Sequence, residues 1–284
     1  MALERFVERL FLAAAVLSAG LAILILCFMV LLGLPILGGG GFWVSLSQPW
    51  VPNNGIYGIL PMIVGTLSIS TLALVIGFPI SLGCAMATRL FQTGPVVWLL
   101  KRTIQLMTAM PTVVYGFVGI FLLVPLVRDL FQAGSGMCIL SASLLLSVLI
   151  SPTMILFFID SFDRVPGAYL QAAKALGASP VQELVHVILP CAGRGMLTGV
   201  VLSLGRAVGD TLIALMIAGN AVAMPASPLD SARTLTAHIA LVIAADFDSV
   251  EFRTLFSCGI VLYGFTLIMV GAARKLSAHG KPLP

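Results

Sequence analysis

The sequence predicts an all-α protein, a polytopic membrane bundle of six transmembrane helices. Three observations carry that prediction. Of 284 residues, 60% are hydrophobic and only 9% charged, and mean hydropathy is +1.12, so a soluble fold would lack enough charge for its surface. Six apolar stretches reach the ~20 residues that a helix needs to cross a bilayer. Lys and Arg fall on alternate sides of those stretches.

The spans lie near 11–33, 59–87, 103–127, 136–159, 195–219 and 253–273, in one membrane domain over 1–284. The first is too long for a signal-peptide core and lacks a small-x-small cleavage site, so it reads as a retained span. The 34–58 connector is external, rich in Gly and Pro and free of charge. Its Trp43, Trp50 and Tyr57 fit an interfacial aromatic belt. Pro61, Gly77 and Pro79 interrupt the second span, Pro111, Gly116 and Gly119 the third, and Pro152 the fourth. Such breaks persist in a membrane where neighbours or a water-filled cavity satisfy the freed carbonyls, which fits a gated pathway. No internal repeat is visible.

Charge sets the orientation. With the N-terminus inside, cytoplasmic segments hold Arg5, Arg9, Arg89, Lys101, Arg102, Arg164, Lys174, Arg194, Arg274, Lys275 and Lys281, and external ones only Arg128, Arg233 and Arg253. Eleven against three is a positive-inside bias that places both termini and the 160–194 loop in the cytoplasm. The net charge of +4 therefore records topology. No basic patch with interleaved aromatics points to nucleic acid. Cys27, Cys84, Cys138, Cys191 and Cys258 are scattered and odd in number, and read as small apolar fillers rather than disulfides or metal ligands.

The cytoplasmic island PGAYLQAAKALGASPVQELVHVILP (166–190) is polar and helix-forming. An Ala-rich helix opens at Gln171, Ala172 and Ala173, and Gly177 ends it in the left-handed conformation. Ser179 as N-cap, Pro180 at N1 and Gln182 at the reciprocal capping position start a second helix, which Pro190 stops. Two short helices at a fixed angle make a rigid lever for a soluble partner.

The fifth span, RGMLTGVVLSLGRAVGDTLIALMIAGN, carries Arg206 and Asp210 four residues apart and hence on one helical face. An isolated charge there costs roughly 2.5–3.5 kcal/mol on insertion scales, so both are expected to pair or line water. Arg206 is expected to bond Asp210 and keep donors free for an oxyanion. Ser203, one turn earlier, and Thr211 add hydroxyls. In the external 220–252 segment, TLTAHIALVIA is apolar enough to dip into the membrane, followed by an acidic patch of Asp246, Asp248 and Glu251.

Several activities are excluded. The chain has no G-x-x-x-x-G-K-[ST] phosphate loop, no H-E-x-x-H and no G-x-S-x-G. His186, His238 and His279 are too dispersed for a metal site, and no catalytic residue is expected.

The 166–190 island resembles the "EAA" loop by which permease subunits of bacterial ATP-binding-cassette (ABC) importers dock onto their ATPases. The match runs through Gln171, Ala172, Ala173, Ala175, Leu176, Gly177 and Ala178, then Leu189 and Pro190, with Gln171 where the family usually has Glu. GRAVGDT (205–211) is similar to the Gly-Arg-Ala-x-Gly-Glu-Thr motif of phosphate-specific ABC permeases, with Asp210 in place of Glu. YGILPMIVGTL (57–67), MPTVVYGFVGIF (110–121), TLTAHI and the 256–274 helix also resemble that family, more its C-type than its A-type subunit. The resemblance implies a type I ABC importer permease fold in a bacterial or archaeal cytoplasmic (inner) membrane. It also implies a second, paralogous permease subunit, two ATP-binding subunits and an extracytoplasmic phosphate-binding protein. ATP and Mg are used by the partner subunits, and no cofactor is bound by this chain. Molybdate, tungstate or sulfate remain alternative cargoes. A secondary transporter or channel is the rival class, and has no need of the docking loop.

Overall fold

Helix α7 (Ile139–Asp163) is the axis of the computed structural model, which describes residues 2–37, 41–91, 94–132, 134–246 and 249–278. It packs along α3 (Leu60–Phe91) on one side and α10 (Leu189–Val208) on another. Lipid tails are as apolar as leucine, so close fit and hydroxyl bonds hold these helices together more than escape from water does. A Cβ on Gly199 of α10 would fall 2.6 Å from the Cβ of Phe157, and one on Gly195 would overlap the Ser161 hydroxyl. Ser143 of α7 donates to Ile69 O of α3 at 3.1 Å, and Ser81 of α3 donates to Ser151 O at 3.4 Å. Serine hydroxyls of α7 and glycines of α10 thus let the helices approach closely around the larger buried side chains of α7, among them Leu146, Ile150, Phe158 and Phe162.

Helix α1 (Ala2–Leu37) lies at the edge of the bundle against α13 (Val250–Ala278). Phe28 and Phe256 meet edge to face at 6.4 Å. Leu17, Ile23 and Leu24 point outward, as a lipid-facing helix requires.

Among the described residues, six helices are long and apolar enough to cross a membrane: Arg5–Gly33, Leu60–Phe91, Thr112–Phe131, Ile139–Asp163, Pro180–Val208 and Val250–Leu276. The third differs from the expected 103–127. Residues 95–109 form a separate helix, α4 (Pro95–Ala109), which ends at the extended Met110 (ψ 132°). Pro111 is the reason, because its ring disfavours helical backbone in the residue before it. The span itself is α5 (Thr112–Val118), a π turn at Gly119–Leu123, and α6 (Val124–Phe131). Pro79 and Pro152, expected to break the second and fourth spans, instead sit inside continuous helices.

The 34–58 connector is more ordered than a simple loop. After α2 (Gly41–Ser47), strands β1 (Trp50–Val51) and β2 (Ile56–Tyr57) form an antiparallel hairpin, the one sheet among the described residues. Gly55, at φ 69°, closes its turn. Residues 38–40 of that connector, and Asp248, His279 and Lys281, lie outside the described residues.

Candidate coupling and translocation sites

The 166–190 elbow is built from local backbone bonds. Helix α8 (Gly167–Ala175) has no buried residue. Its end is a Schellman motif: Ala178 N–H bonds Ala173 O at 3.0 Å and Gly177 N–H bonds Lys174 O at 2.9 Å, with Gly177 at φ 80°. Helix α9 (Pro180–Glu183) then starts with a complete capping box. Ser179 N–H donates to Gln182 Oε1 at 2.8 Å, and Gln182 N–H donates to Ser179 Oγ at 3.3 Å. Both caps satisfy helix-end groups without help from the bundle, so the angle is fixed where the chain stands clear of its neighbours. Leu176, at the tip, is 90% exposed. Gln171, Ala172 and Ala175 are exposed beside it, while Ala173 and Ala178 are half-buried.

The elbow is also tied to the spans. Lys174 Nζ lies 3.9 Å from Glu183 Oε2, and the Glu183 side chain is only 10% exposed. Arg89, at the end of α3, lines the same cleft of about 290 Å³ as Lys174 and Glu183. Arg89 also reaches Asp163, at the end of α7, at 3.7 Å.

The expected stop at Pro190 does not occur. The chain runs from α9 through a π turn at Leu184–Ile188 directly into α10, a single 29-residue span from Pro180 to Val208. Proline in an α-helix lacks an N–H, and its ring collides with the carbonyl four residues back. A π turn immediately before Pro190 takes up an extra residue and redirects that carbonyl. The same arrangement precedes Pro125 in the third span. Leu189 and Pro190 therefore lie within continuous helix, joining the elbow to the span rather than separating the two.

The fifth span breaks instead near its C-terminal end, and this alters the expected charge pair. Helix α10 stops at Val208, where Gly209 N–H bonds Gly205 O at 3.1 Å and Asp210 N–H bonds Ala207 O at 3.3 Å. The helical spacing that would bring residues 206 and 210 to one face is lost before Asp210. No ion pair joins Arg206 to Asp210 among the described residues. Asp210 Oδ2 instead accepts the Ile213 N–H at 2.9 Å, capping α11 (Leu212–Ile217), a role for which Asp is among the best residues. Arg206 is exposed, and its Nη1 donates to the Thr153 hydroxyl of α7 at 3.0 Å. Ser203 is fully buried, its hydroxyl without a partner among the described residues, and Thr211 lies half-buried in the break.

Three residues that sequence reasoning did not single out complete this region. Thr153 contacts Arg206 from 53 residues away. Thr236 donates to Asp210 O at 2.8 Å from α12 (Leu235–Val242), which packs against α13, α3 and α11. His238, also on α12, is fully buried: its ring meets Trp50 of the hairpin edge to face at 4.6 Å, and its Nε2 lies 3.2 Å from Thr254 Oγ1. Polar residues in an apolar segment were the available signal, but hydroxyls are common in such segments. Of the acidic patch, Asp246 is exposed and Glu251 half-buried.

Burial, together with the nearby Arg233 charge, pushes His238 down to about 4, and its Nδ1 has no partner among the described residues. The unfolded value is near 6.5. The neutral ring's contribution is therefore complete above pH 6.5 and is lost as pH falls from 6.5 to 4, by roughly 3 kcal/mol in all. Thermal unfolding of the detergent-purified protein should shift to lower temperature between pH 7 and pH 5. His238→Phe should remove most of that shift. An equal shift in both proteins would assign the acid sensitivity elsewhere.

Residues 77–274 match a family described as "Binding-protein-dependent transport system inner membrane component". The chain belongs to that family. The probable ABC transporter permease protein YqgH of Bacillus subtilis is 34% identical over 244 residues, covering 84% of this chain and 78% of that protein. The phosphate transport system permease protein PstC of Pasteurella multocida is 30% identical, covering 83% of this chain and 79% of that protein. An inward-facing structure of the MetNI methionine ABC transporter superposes with a TM-score of 0.59 at 16% identity, over 77% of this chain and 95% of that one. A bacterial ABC transporter that imports the acidic polysaccharide alginate gives 0.57 at 15% identity, over 99% and 100%. The six apolar helices therefore form an ABC importer permease fold, and the protein is a multi-pass inner-membrane transport component.

Proposed function

We propose that this chain is a permease subunit of an ATP-driven importer of inorganic phosphate, forming one domain and half of the translocation pathway. The observation that carries the reading is the exposed elbow at 171–182. Its Schellman motif and capping box hold the tip of α8 exposed, and the Pro180–Val208 span runs from it to Arg206 without a break. Force applied at Leu176 and Gly177 is thereby delivered to the charged end of the fifth span.

Residues Gln171 to Ala178, with Leu189 and Pro190, engage one of two partner ATP-binding subunits, which bind ATP and Mg and carry out hydrolysis. Both termini lie in the cytoplasm, as the positive-inside distribution requires. A second, paralogous permease closes the groove that leaves Arg206 exposed, because a lipid-facing guanidinium is costly. An extracytoplasmic binding protein delivers the anion over the 220–252 surface. Arg206, Asp210 and Thr211 line the pathway, while Ser203, expected beside them, is fully buried behind that face. Phosphate as cargo rests on the relatives named PstC and on chemistry: one open arginine attracts a phosphate oxyanion yet releases it, whereas a cage of several would trap it.

Reconstitution with the ATPase, the second permease and the binding protein tests this. ATP-dependent phosphate uptake should resist competition by sulfate, molybdate and tungstate. Uptake without ATP would remove the importer reading, and preferred uptake of another oxyanion would remove phosphate.

A further inference from the structure

Arg206 and Thr153 meet in an arrangement that a packing contact alone does not require. The Thr153 oxygen accepts from Arg206 Nη1 at 3.0 Å. Among the described residues, the Thr153 hydroxyl donates to no protein acceptor, although Thr66, Ser70, Ser147, Ser151 and Ser161 all donate to carbonyls of their own helices. The guanidinium is exposed, and no other bond from it occurs among the described residues. The remaining guanidinium donors and one hydroxyl proton are therefore both unused at the same point, where α7 meets the C-terminal end of α10.

We infer that Thr153 is the second protein donor of the oxyanion site, so that the translocated anion is held between the Arg206 guanidinium and the Thr153 hydroxyl. This rests on the pathway role of Arg206 proposed above. A hydroxyl that accepts from a cation becomes a stronger donor, because hydrogen bonds in a chain polarise one another. The oxygen's remaining lone pair accepts from a P–OH group, so a singly or doubly protonated phosphate gains a partner that a fully deprotonated oxyanion does not use. Thr153 also aims Arg206: without it, a flexible side chain would have to find the anion unaided. Because Thr153 lies on α7 and Arg206 on α10, the site forms only while those two helices keep their contact. Movement of α10 driven from the elbow would separate the donors and release the anion.

The test is uptake by the fully reconstituted transporter, read as maximal rate and as half-saturation for the phosphate-loaded binding protein. Thr153→Val should lower the maximal rate about tenfold, the effect of one lost bond to a charged group, with half-saturation unchanged because the outer docking surface is untouched. ATP hydrolysis stimulated by the loaded binding protein should persist, so that more ATP is spent per anion. Thr153→Ser should restore the rate to within about twofold of wild type, since it returns the hydroxyl. If Thr153→Val inserts poorly, Thr153→Ala replaces it with the same expectation. A normal rate in Thr153→Val while Arg206→Ala is inactive would overturn this inference and leave the importer reading intact. So would an equal loss in Thr153→Ser and Thr153→Val. A fully active Arg206→Ala would instead overturn the pathway role on which the inference stands.

Discussion

Gly177→Val will leave the protein inserted and will uncouple ATP hydrolysis from phosphate uptake. Gly177 has φ 80°, and a Cβ placed there would meet nothing within 4 Å. The cost of valine is therefore entirely in the backbone, of order 1–3 kcal/mol for a residue held in the left-handed region and greatest for a β-branched one. That cost falls on the two bonds of the Schellman motif, Ala178 to Ala173 and Gly177 to Lys174. Relieving it means opening the turn, and a loss of 1–3 kcal/mol lowers the population of the closed elbow by about 5- to 150-fold. The packing of the spans is little disturbed, since α8 buries no residue fully and the main helix–helix contacts lie in α3, α7 and α10. Membrane insertion should therefore equal wild type while uptake falls at least tenfold. Gly177→Asn is the control, because asparagine tolerates positive φ, and it should keep most of the activity. Wild-type uptake by Gly177→Val would mean that the elbow's angle does not drive transport.

The elbow was legible in the sequence because every interaction that makes it is local. Gly177, Ser179, Pro180 and Gln182 bond within six residues of one another, and their chemistry permits few other backbone paths. The six spans were legible for a different reason, since a run of ~20 apolar residues has no stable place in a soluble surface. What the sequence could not locate were the breaks. Pro79, Pro111, Pro125, Pro152 and Pro190 look alike in the chain, yet one ends a helix, two follow π turns and two sit in continuous helix. The difference lies in what surrounds each proline. The substrate region was half legible. Arg206 announces itself as a charge in an apolar run, but its partner Thr153 is 53 residues away. The pairing with Asp210 failed because helical spacing was assumed across a break that Gly209 and the Asp210 cap create.

Loss of that pairing changes what substitution of Arg206 will do. Had the two charges been joined, Arg206→Ala would have stranded a buried carboxylate and weakened the span. Asp210 instead keeps its bond to Ile213 N–H, and Arg206 faces open space. Arg206→Ala should therefore insert and unfold like wild type, yet reduce uptake by about 100-fold, the loss of a charge-assisted contact worth about 3 kcal/mol. Arg206→Lys should also transport poorly, because an ammonium keeps the charge but cannot bond Thr153 and an oxyanion with one planar fork. Asp210→Ala should lower stability by about 1 kcal/mol through loss of the cap, and Asp210→Asn should retain the cap while removing the charge. A double-mutant cycle on thermal stability reads the pair directly. Separate roles predict additivity of Arg206→Ala and Asp210→Ala within about 0.5 kcal/mol. A coupling well above 1 kcal/mol would mean that the two side chains do bond each other in the membrane. Full uptake by the double variant would reduce both residues to features of helix packing.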